Sequence, residues 1–223
     1  RVDKVMSKLL TEEGALLLKP GRLVEKAQFE ETTRHSLHQL IRQLRAAKIR
    51  QVEMECPEEG HFIGGNLAGY IDMRVINDQG QEALIDIKWG GEKYRRQSLD
   101  ENTHLQHLLY AHLRQQQTNQ QGWPSVAYYI IDGATLLAQN NYFFPEATIT
   151  TPQTDDNIAQ VWQQSMTTWQ WPREQLDKGR IEMTVAGTEP DVDSQPEEGG
   201  LLIPDTSYTF NDYAVLTGWG EKK

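Results

Sequence analysis

The chain reads Asn66-Leu-Ala-Gly-Tyr-Ile-Asp72-Met-Arg-Val-Ile76, then Asn77-Asp-Gln-Gly80, then Glu82-Ala-Leu-Ile-Asp86-Ile-Lys88-Trp89. The first and third runs are apolar and rich in β-branched residues, which predicts two consecutive strands. The tetrapeptide between them is a turn sequence, because glycine tolerates a positive φ and Asn and Asp bond their own backbone. The stretch therefore predicts a β-hairpin around which the rest of the domain is organised.

Three ionisable side chains lie on these two strands. Side chains alternate along a strand, so Asp86 and Lys88 project from one face and Ile87 from the other. The hairpin can bring Asp72 alongside Asp86, and adjacent carboxylates repel each other unless a cation separates them. Oxygen ligands suit Mg²⁺ or Mn²⁺, which lower the pKa of bound water and polarise phosphoryl oxygens. The pattern therefore indicates hydrolysis of a phosphodiester.

The alternative for so short a pattern is a solvated, salt-bridged strand face. The flanking residues are strongly apolar, which favours interior strands, where charges are rare unless they are paired or ligated. Around the hairpin, apolar periodicity predicts helices over 24–48 and 99–117 and strands over 49–56 and 125–131. The order is helix, strand, strand, strand, helix, strand, which predicts an α/β domain.

The motifs Gly69-Tyr-Ile-Asp72, Asp86-Ile-Lys88 and Gln106-His-Leu-Leu-Tyr110 together resemble the PD-(D/E)XK nuclease superfamily. The Gln-x-x-x-Tyr element is similar to that of its RecB-like branch, and the resemblance covers roughly residues 26–132. It implies an α/β core with a central mixed β-sheet flanked by helices. It also implies that Asp72 and Asp86 bind the metal and that Ile87 lends a backbone carbonyl. Lys88 is then expected to assist the attacking water.

The first core helix of this family can lend a His or Glu to the metal. His38 best matches the frame of that motif, and His35 and Glu31, one turn away, remain alternatives. The other interpretation of each is an exposed or capping helix residue. His104 and His107 have the spacing of a zinc pair, but the sequence offers no third soft ligand nearby.

The resemblance also implies a path for DNA beside the metal. Gln106 and Tyr110 are expected to line it, and their spacing places them on one helix face. The alternative is that Tyr110 is a core residue and Gln106 a surface residue. The basic run that holds Lys93, Arg95 and Arg96 lies next to an aromatic residue and is a plausible phosphate clamp.

Composition limits the possible classes of protein. The 223 residues carry a net charge of −10, which is unusual for a DNA-binding protein because phosphate contacts supply most nonspecific affinity. The bases are unevenly distributed, however, and cluster after the second strand. No apolar run is long enough to span a membrane. The single cysteine, Cys56, excludes an internal disulfide and a four-cysteine iron–sulfur cluster, and suggests a reducing, cytoplasmic setting.

These patterns predict an N-terminal segment over 1–23 and a nuclease core over 24–150. A C-terminal helix, acidic loop and tail over 151–223 are expected to pack on the core or on a partner. The predicted function is a Mg²⁺- or Mn²⁺-dependent deoxyribonuclease of recombination, repair or phage defence. The alternative is a silent nuclease-fold module that binds DNA or docks onto a helicase-type machine.

Overall fold

The computed structural model describes residues 2–62, 64–118, 122–150, 158–180 and 199–201. The chain divides into two units, Arg1–Asp156 and Asn157–Lys223. Among the described residues, no helix combines the length and the apolar character that crossing a membrane requires.

The first unit is built on a single sheet. Its helices are α1 (Val2–Glu12), α2 (Leu23–Ala46), α3 (Glu92–Asp100) and α4 (Leu105–Gln117), with a short 3-10 helix at Ala15–Leu18. Its strands are β1 (Ile49–Phe62), β2 (Gly65–Asn77), β3 (Glu82–Lys88), β4 (Ser125–Ile130), β5 (Thr135–Ala138) and β6 (Thr148–Ile149). The six strands lie in chain order, β1 to β6. The pairs β3–β4 and β5–β6 are parallel and the others antiparallel. This confirms the predicted α/β fold with a central mixed sheet flanked by helices.

The predicted hairpin is formed by β2 and β3. Its turn is held by Asn77, whose Oδ1 accepts hydrogen bonds from the backbone N–H of Gln79 and of Gln81, at 3.0 and 2.9 Å. Gly80 has a φ of +77°, a conformation that glycine adopts without steric cost. The turn residues therefore act in the way that their sequence predicted.

The two faces of the sheet are covered by different helices. On one face, Leu40 of α2 packs with Val75 and Ile85 in the main apolar cluster. On the other face, Leu99 of α3 packs with Tyr128, and Arg114 of α4 pairs with a strand residue. Because side chains alternate along β3, Asp86 and Lys88 lie on the face of α3 and α4.

Two predicted boundaries were wrong. Strand β1 does not end before Pro57 but continues to Phe62. Pro57 is tolerated because β1 pairs only with β2, and an edge strand has N–H groups that need no ladder partner. The helix predicted over 99–117 is two helices, because α3 starts after Gly91 and α4 begins only at Leu105.

In the second unit, helix α5 (Ile158–Asp177) contains Pro172. The backbone N–H of Leu201 donates a 2.7 Å hydrogen bond to Thr168 Oγ1 of this helix. The acidic loop predicted within 187–198 and the tail predicted after residue 201 lie outside the described residues.

Candidate active site

The site lies where strands β2 and β3 separate. Their antiparallel ladder runs from Ile76 opposite Glu82 to Met73 opposite Ile85. Beyond that point Asp72 Oδ2 accepts a 2.7 Å hydrogen bond from the backbone N–H of Ile87. A side-chain carboxylate thus takes the place that a strand carbonyl holds in a regular ladder. This contact fixes the first acid beside the second strand.

Asp86 and Lys88 project from the same face of β3, as the alternation predicted. Lys88 Nζ donates a 2.9 Å hydrogen bond to Asp86 Oδ1 and lies 2.8 Å from Oδ2. The Asp86 side chain is only 4% exposed, whereas that of Lys88 is 28% exposed. The lysine therefore links a buried carboxylate to the solvent side of the site.

The charges at the site are incompletely balanced. Burial is the main cause that raises the pKa of Asp86 above its usual value, and the neighbouring Asp72 carboxylate adds to the shift. The hydrogen bond and charge of Lys88, and the charge of Arg95, act in the opposite direction. A further positive charge near the two acids would stabilise the ionised form of both.

The donor set of the site fits a hard divalent cation. Asp86 Oδ2 is buried, and the contact described for it is the ion pair with Lys88 Nζ at 2.8 Å, which leaves lone pairs of the carboxylate for a cation. Within the described residues, no three His, Cys, Asp or Glu side chains come together as a metal site. A cation held by Asp72 and Asp86 would complete its shell with backbone oxygen, water or phosphate, as Mg²⁺ commonly does.

The family model of the PD-(D/E)XK nuclease superfamily matches residues 2–187. The chain belongs to the PD-(D/E)XK nuclease superfamily. The match extends beyond the resemblance seen in the motifs at both ends. It is to the superfamily as a whole, so the RecB-like branch stays a prediction. A comparison with curated proteins found no match.

The third metal ligand predicted for this nuclease fold was placed on helix α2. His38, His35 and Glu31 are all exposed on α2. The apolar cluster places this helix against the sheet face that carries Ile85, whereas Asp86 projects from the opposite face. Among the described contacts, none joins these three side chains to the acids. The structure thus brings together Asp72, Asp86 and Lys88 but not the helix candidates.

The predicted DNA-path residues of this nuclease fold have different environments. Gln106 is exposed, and Tyr110 is half-buried against strand β2. A Cβ on Gly69 would lie 2.9 Å from Tyr110 Cε1 and 3.0 Å from its hydroxyl, closer than side chains pack. Gly69 therefore allows the Tyr110 ring to lie on the backbone of β2, three residues before Asp72. Tyr110 thus anchors α4 beside the site.

The three predicted basic residues on α3 also differ. Lys93 is exposed, and Arg96 is half-buried and paired with Glu92 at 3.0 Å. Arg95 is half-buried, with its guanidinium carbon 5.4 Å from the centre of the Tyr128 ring. Tyr128 is the β4 residue directly opposite Asp86 in the parallel ladder. Of these three basic residues, Arg95 is thus the one that packs on the strand residue next to Asp86.

Sequence reasoning missed Tyr128 and His107 as neighbours of the site. The His107 and Tyr128 rings lie 4.3 Å apart, and burial lowers the pKa of His107 well below its usual value. Burial also raises the pKa of Tyr128, so both groups are neutral at physiological pH. Nothing in the sequence indicated that Tyr128 lies opposite Asp86, because apolar periodicity predicts a strand but not the register in which β4 pairs with β3.

Proposed function

We propose that this chain is a metal-dependent deoxyribonuclease that uses Mg²⁺ or Mn²⁺ held by Asp72 and Asp86. The observation that carries the proposal is the separated β2–β3 ladder, in which Asp72 binds the Ile87 N–H beside a buried Asp86–Lys88 pair. Two neighbouring acids that share one lysine have no structural advantage in a sheet, since buried charge that is only partly balanced destabilises the fold.

Each residue has a definite role in this proposal. The metal, when bound, would polarise the phosphate and lower the pKa of a water molecule. Asp72 and Asp86 hold it on a rigid strand pair, with Ile87 expected to contribute its carbonyl oxygen. Lys88 can leave Asp86 for the phosphate or the attacking water, because its side chain is partly exposed. The lysine thus orients the nucleophile or offsets the charge that develops on phosphorus.

The finer parts of the proposal rest on the motif resemblance. Gln106 and Tyr110 support DNA as the substrate and a RecB-like enzyme of recombination, repair or phage defence. A cytoplasmic setting and a helicase-type partner complete this proposal. His38, with His35 and Glu31 as alternatives, stays a proposed additional ligand.

The decisive experiment compares cleavage of linear and circular DNA, single- and double-stranded, with Mn²⁺, Mg²⁺ or EDTA. Lys88→Ala is expected to slow metal-dependent cleavage by about 100- to 1,000-fold, since a preorganised charge beside the phosphate is lost. The matched control is Lys4→Ala, an exposed lysine on α1, which should cleave at the wild-type rate.

The melting temperature of the wild-type protein with and without metal is the second readout. Stabilisation by metal is expected, because a ligand that binds only the folded state raises its stability. An absence of both cleavage and metal stabilisation would overturn the nuclease proposal in favour of a binding module. Near-wild-type cleavage by Lys88→Ala would refute the role of the lysine.

A further inference from the structure

Arg95 lies close to two aromatic rings. Its guanidinium carbon lies 5.0 Å from the centre of the Tyr94 ring and 5.4 Å from that of the Tyr128 ring. Aromatic faces attract a guanidinium but accept few of its N–H bonds, because the attraction is to the ring as a whole. The two rings and the Tyr128 hydroxyl orient Arg95, while its Nε–H is buried without a hydrogen-bond partner.

In the part of the chain that the structure describes, no carboxylate forms an ion pair with Arg95. Within the described residues, the other buried or half-buried arginines each have a carboxylate oxygen within 4.0 Å; they are Arg34, Arg74, Arg96 and Arg114. Arg95 has none, and its Nε is buried without a hydrogen-bond partner. A buried donor without an acceptor destabilises the fold, so its retention points to an acceptor that arrives with a ligand.

The location of Arg95 specifies the charge of that ligand. Its ring partner Tyr128 lies directly opposite Asp86 in the β3–β4 ladder. Lys88 approaches Asp86 from its own strand. The charges of Lys88 on β3 and of Arg95 on α3 both act on Asp86, so an anion bound beside this acid would be attracted by both. A guanidinium fork matches two oxygens of a phosphate, which makes a phosphodiester the best-fitting anion.

We infer that Arg95 is a second cationic catalytic residue, whose guanidinium binds a non-bridging oxygen of the scissile phosphate. The inference rests on the proposed nuclease function. In the hydrolysis, the water oxygen bonds to phosphorus and one bridging P–O bond breaks. The water gives up a proton, and the leaving oxygen takes one up. Arg95 transfers nothing in this step, and stabilises the negative charge that the phosphate oxygens gain.

The neighbouring bases are expected to act differently. Arg96 is tied to Glu92 and Lys93 is exposed, so each can hold the DNA backbone at a distance from the reacting phosphate. Their loss should raise KM. The loss of Arg95 should lower kcat, because its contact strengthens as charge develops in the transition state.

The kinetic test measures kcat and KM for Arg95→Gln, Arg95→Lys and Arg95→Ala. Arg95→Gln should lower kcat by about 100-fold with little change in KM, the size of effect typical of one lost transition-state donor. Arg95→Lys should retain part of the rate, because it keeps the charge and loses the fork. Arg50→Gln, the same change at an exposed arginine on β1, should leave kcat unchanged.

Chemical rescue separates a direct contact from a structural role. Guanidinium ion added at non-denaturing concentration should restore at least part of the kcat that Arg95→Ala loses. A merely structural arginine would lower the melting temperature and would not be rescued. An unchanged kcat in Arg95→Gln would overturn the inference, as would a loss that guanidinium does not restore in a variant that remains folded.

A readout independent of cleavage keeps the inference distinct from the proposed function. The Arg95 Nε–H signal of ¹⁵N-labelled protein, assigned by its absence in Arg95→Gln, is followed in EDTA during titration with inorganic phosphate and then with a short oligodeoxynucleotide. A saturable shift supports the phosphate contact even if the wild-type protein cleaves nothing. The absence of any shift with either probe would refute it.

Discussion

Glu82 and Asp86 lie on the same face of β3, four residues apart, and differ in the partners that surround them. Glu82 receives two hydrogen bonds from Arg114, at 2.9 and 3.1 Å, and lies 3.8 Å from Arg74. Asp86 has a single lysine, Lys88, close to both of its oxygens, and a second carboxylate nearby. The first acid is saturated by protein groups, and the second is left able to bind something else.

This difference separates a structural acid from a functional one. A buried charge that is fully paired holds elements together, and Arg114 joins α4 to β3 and also, through Glu58, to β1. A buried charge that is only partly paired destabilises the fold and is retained where a ligand completes it. Within the seven residues of β3, Glu82 at the first end thus stabilises the fold, and Asp86 near the other end is suited to bind a ligand.

The largest expected effect is on the cleavage rate of the Asp86→Asn variant. Asp86→Asn should slow cleavage by roughly 1,000-fold, because a metal ligand is lost. The metal-free variant should melt at or above the wild-type temperature. Burial raises the pKa of Asp86, so the folded state favours the protonated, neutral carboxyl. The stability that this neutral form contributes is lost as the pH rises through the raised pKa. The amide of Asn stays neutral at every pH and avoids this loss.

Glu82→Gln is the matched control for that prediction. It should lower the melting temperature, since Arg114 loses a charged partner, and should leave the cleavage rate nearly unchanged. Cleavage and thermal melting of both variants check the pair. If the two variants lost activity and stability alike, the distinction between the two ends of β3 would fail.

The next largest effect is on stability and concerns the ion pairs of Arg114 at the Glu82 end of β3. Arg114→Met should lower the free energy of unfolding by about 3 to 5 kcal/mol, because it removes the cation that pairs with both Glu58 and Glu82 and leaves Glu82 with the more distant Arg74. Burial already raises the pKa of Glu58 despite the opposing charge of Arg114. Urea denaturation measures the effect.

Arg34→Met is the comparison for Arg114→Met, because its ion pair with Asp3 is largely exposed. Its loss should change the free energy of unfolding by less than about 1 kcal/mol. Similar losses in the two variants would show that burial of the Arg114 network contributes nothing special.

The last prediction concerns the buried neutral histidines His104 and His107. Burial is the main cause that lowers the pKa of His104 to about 4, against an opposing hydrogen bond with the Ser98 carbonyl oxygen. A neutral buried base stabilises the fold above its unfolded pKa near 6.5, and this stability is lost as the pH falls toward about 4. The loss is on the order of 3 kcal/mol.

His104→Asn should therefore flatten the decline in stability between pH 7 and pH 4.5, as measured by urea denaturation at each pH. The decline that remains is expected from His107, whose pKa burial also lowers. Parallel pH profiles for the variant and the wild type would contradict the assignment. The measurement also shows whether the buried neutral histidines make stability depend on pH between 7 and 4.5 more strongly than the Glu82–Arg114 ion pair does.

Much of the fold was predictable because its signals are local. The hairpin turn, the long helix α2 and the shared face of Asp86 and Lys88 follow from residue type and from the period of a strand or helix. The split of the helix predicted over 99–117 was not, because the short helix α3 is stabilised by packing of Leu99 on the sheet rather than by a periodic pattern of its own.

Part of the site could not be read from the sequence. Helical periodicity relates His38, His35 and Glu31 to one another, but it does not say which sheet face their helix covers. The apolar cluster of Leu40 with Ile85 decides that. In the same way, a basic run predicts a phosphate contact without saying which base lies nearest the acids.

The sequence by itself determined the strand pair, the turn and the face that Asp86 shares with Lys88, because backbone geometry makes each depend on neighbouring residues. Only the tertiary structure decided that Glu82 has two arginines as partners whereas Asp86 has a single lysine. The Asp-x-Lys pattern marks Asp86 locally, but nothing near Glu82 in the sequence predicts its arginine, which lies 32 residues away. The parallel pairing that places Tyr128 and Arg95 behind Asp86 is likewise a long-range contact, and long-range contacts are set by the packing of the whole domain.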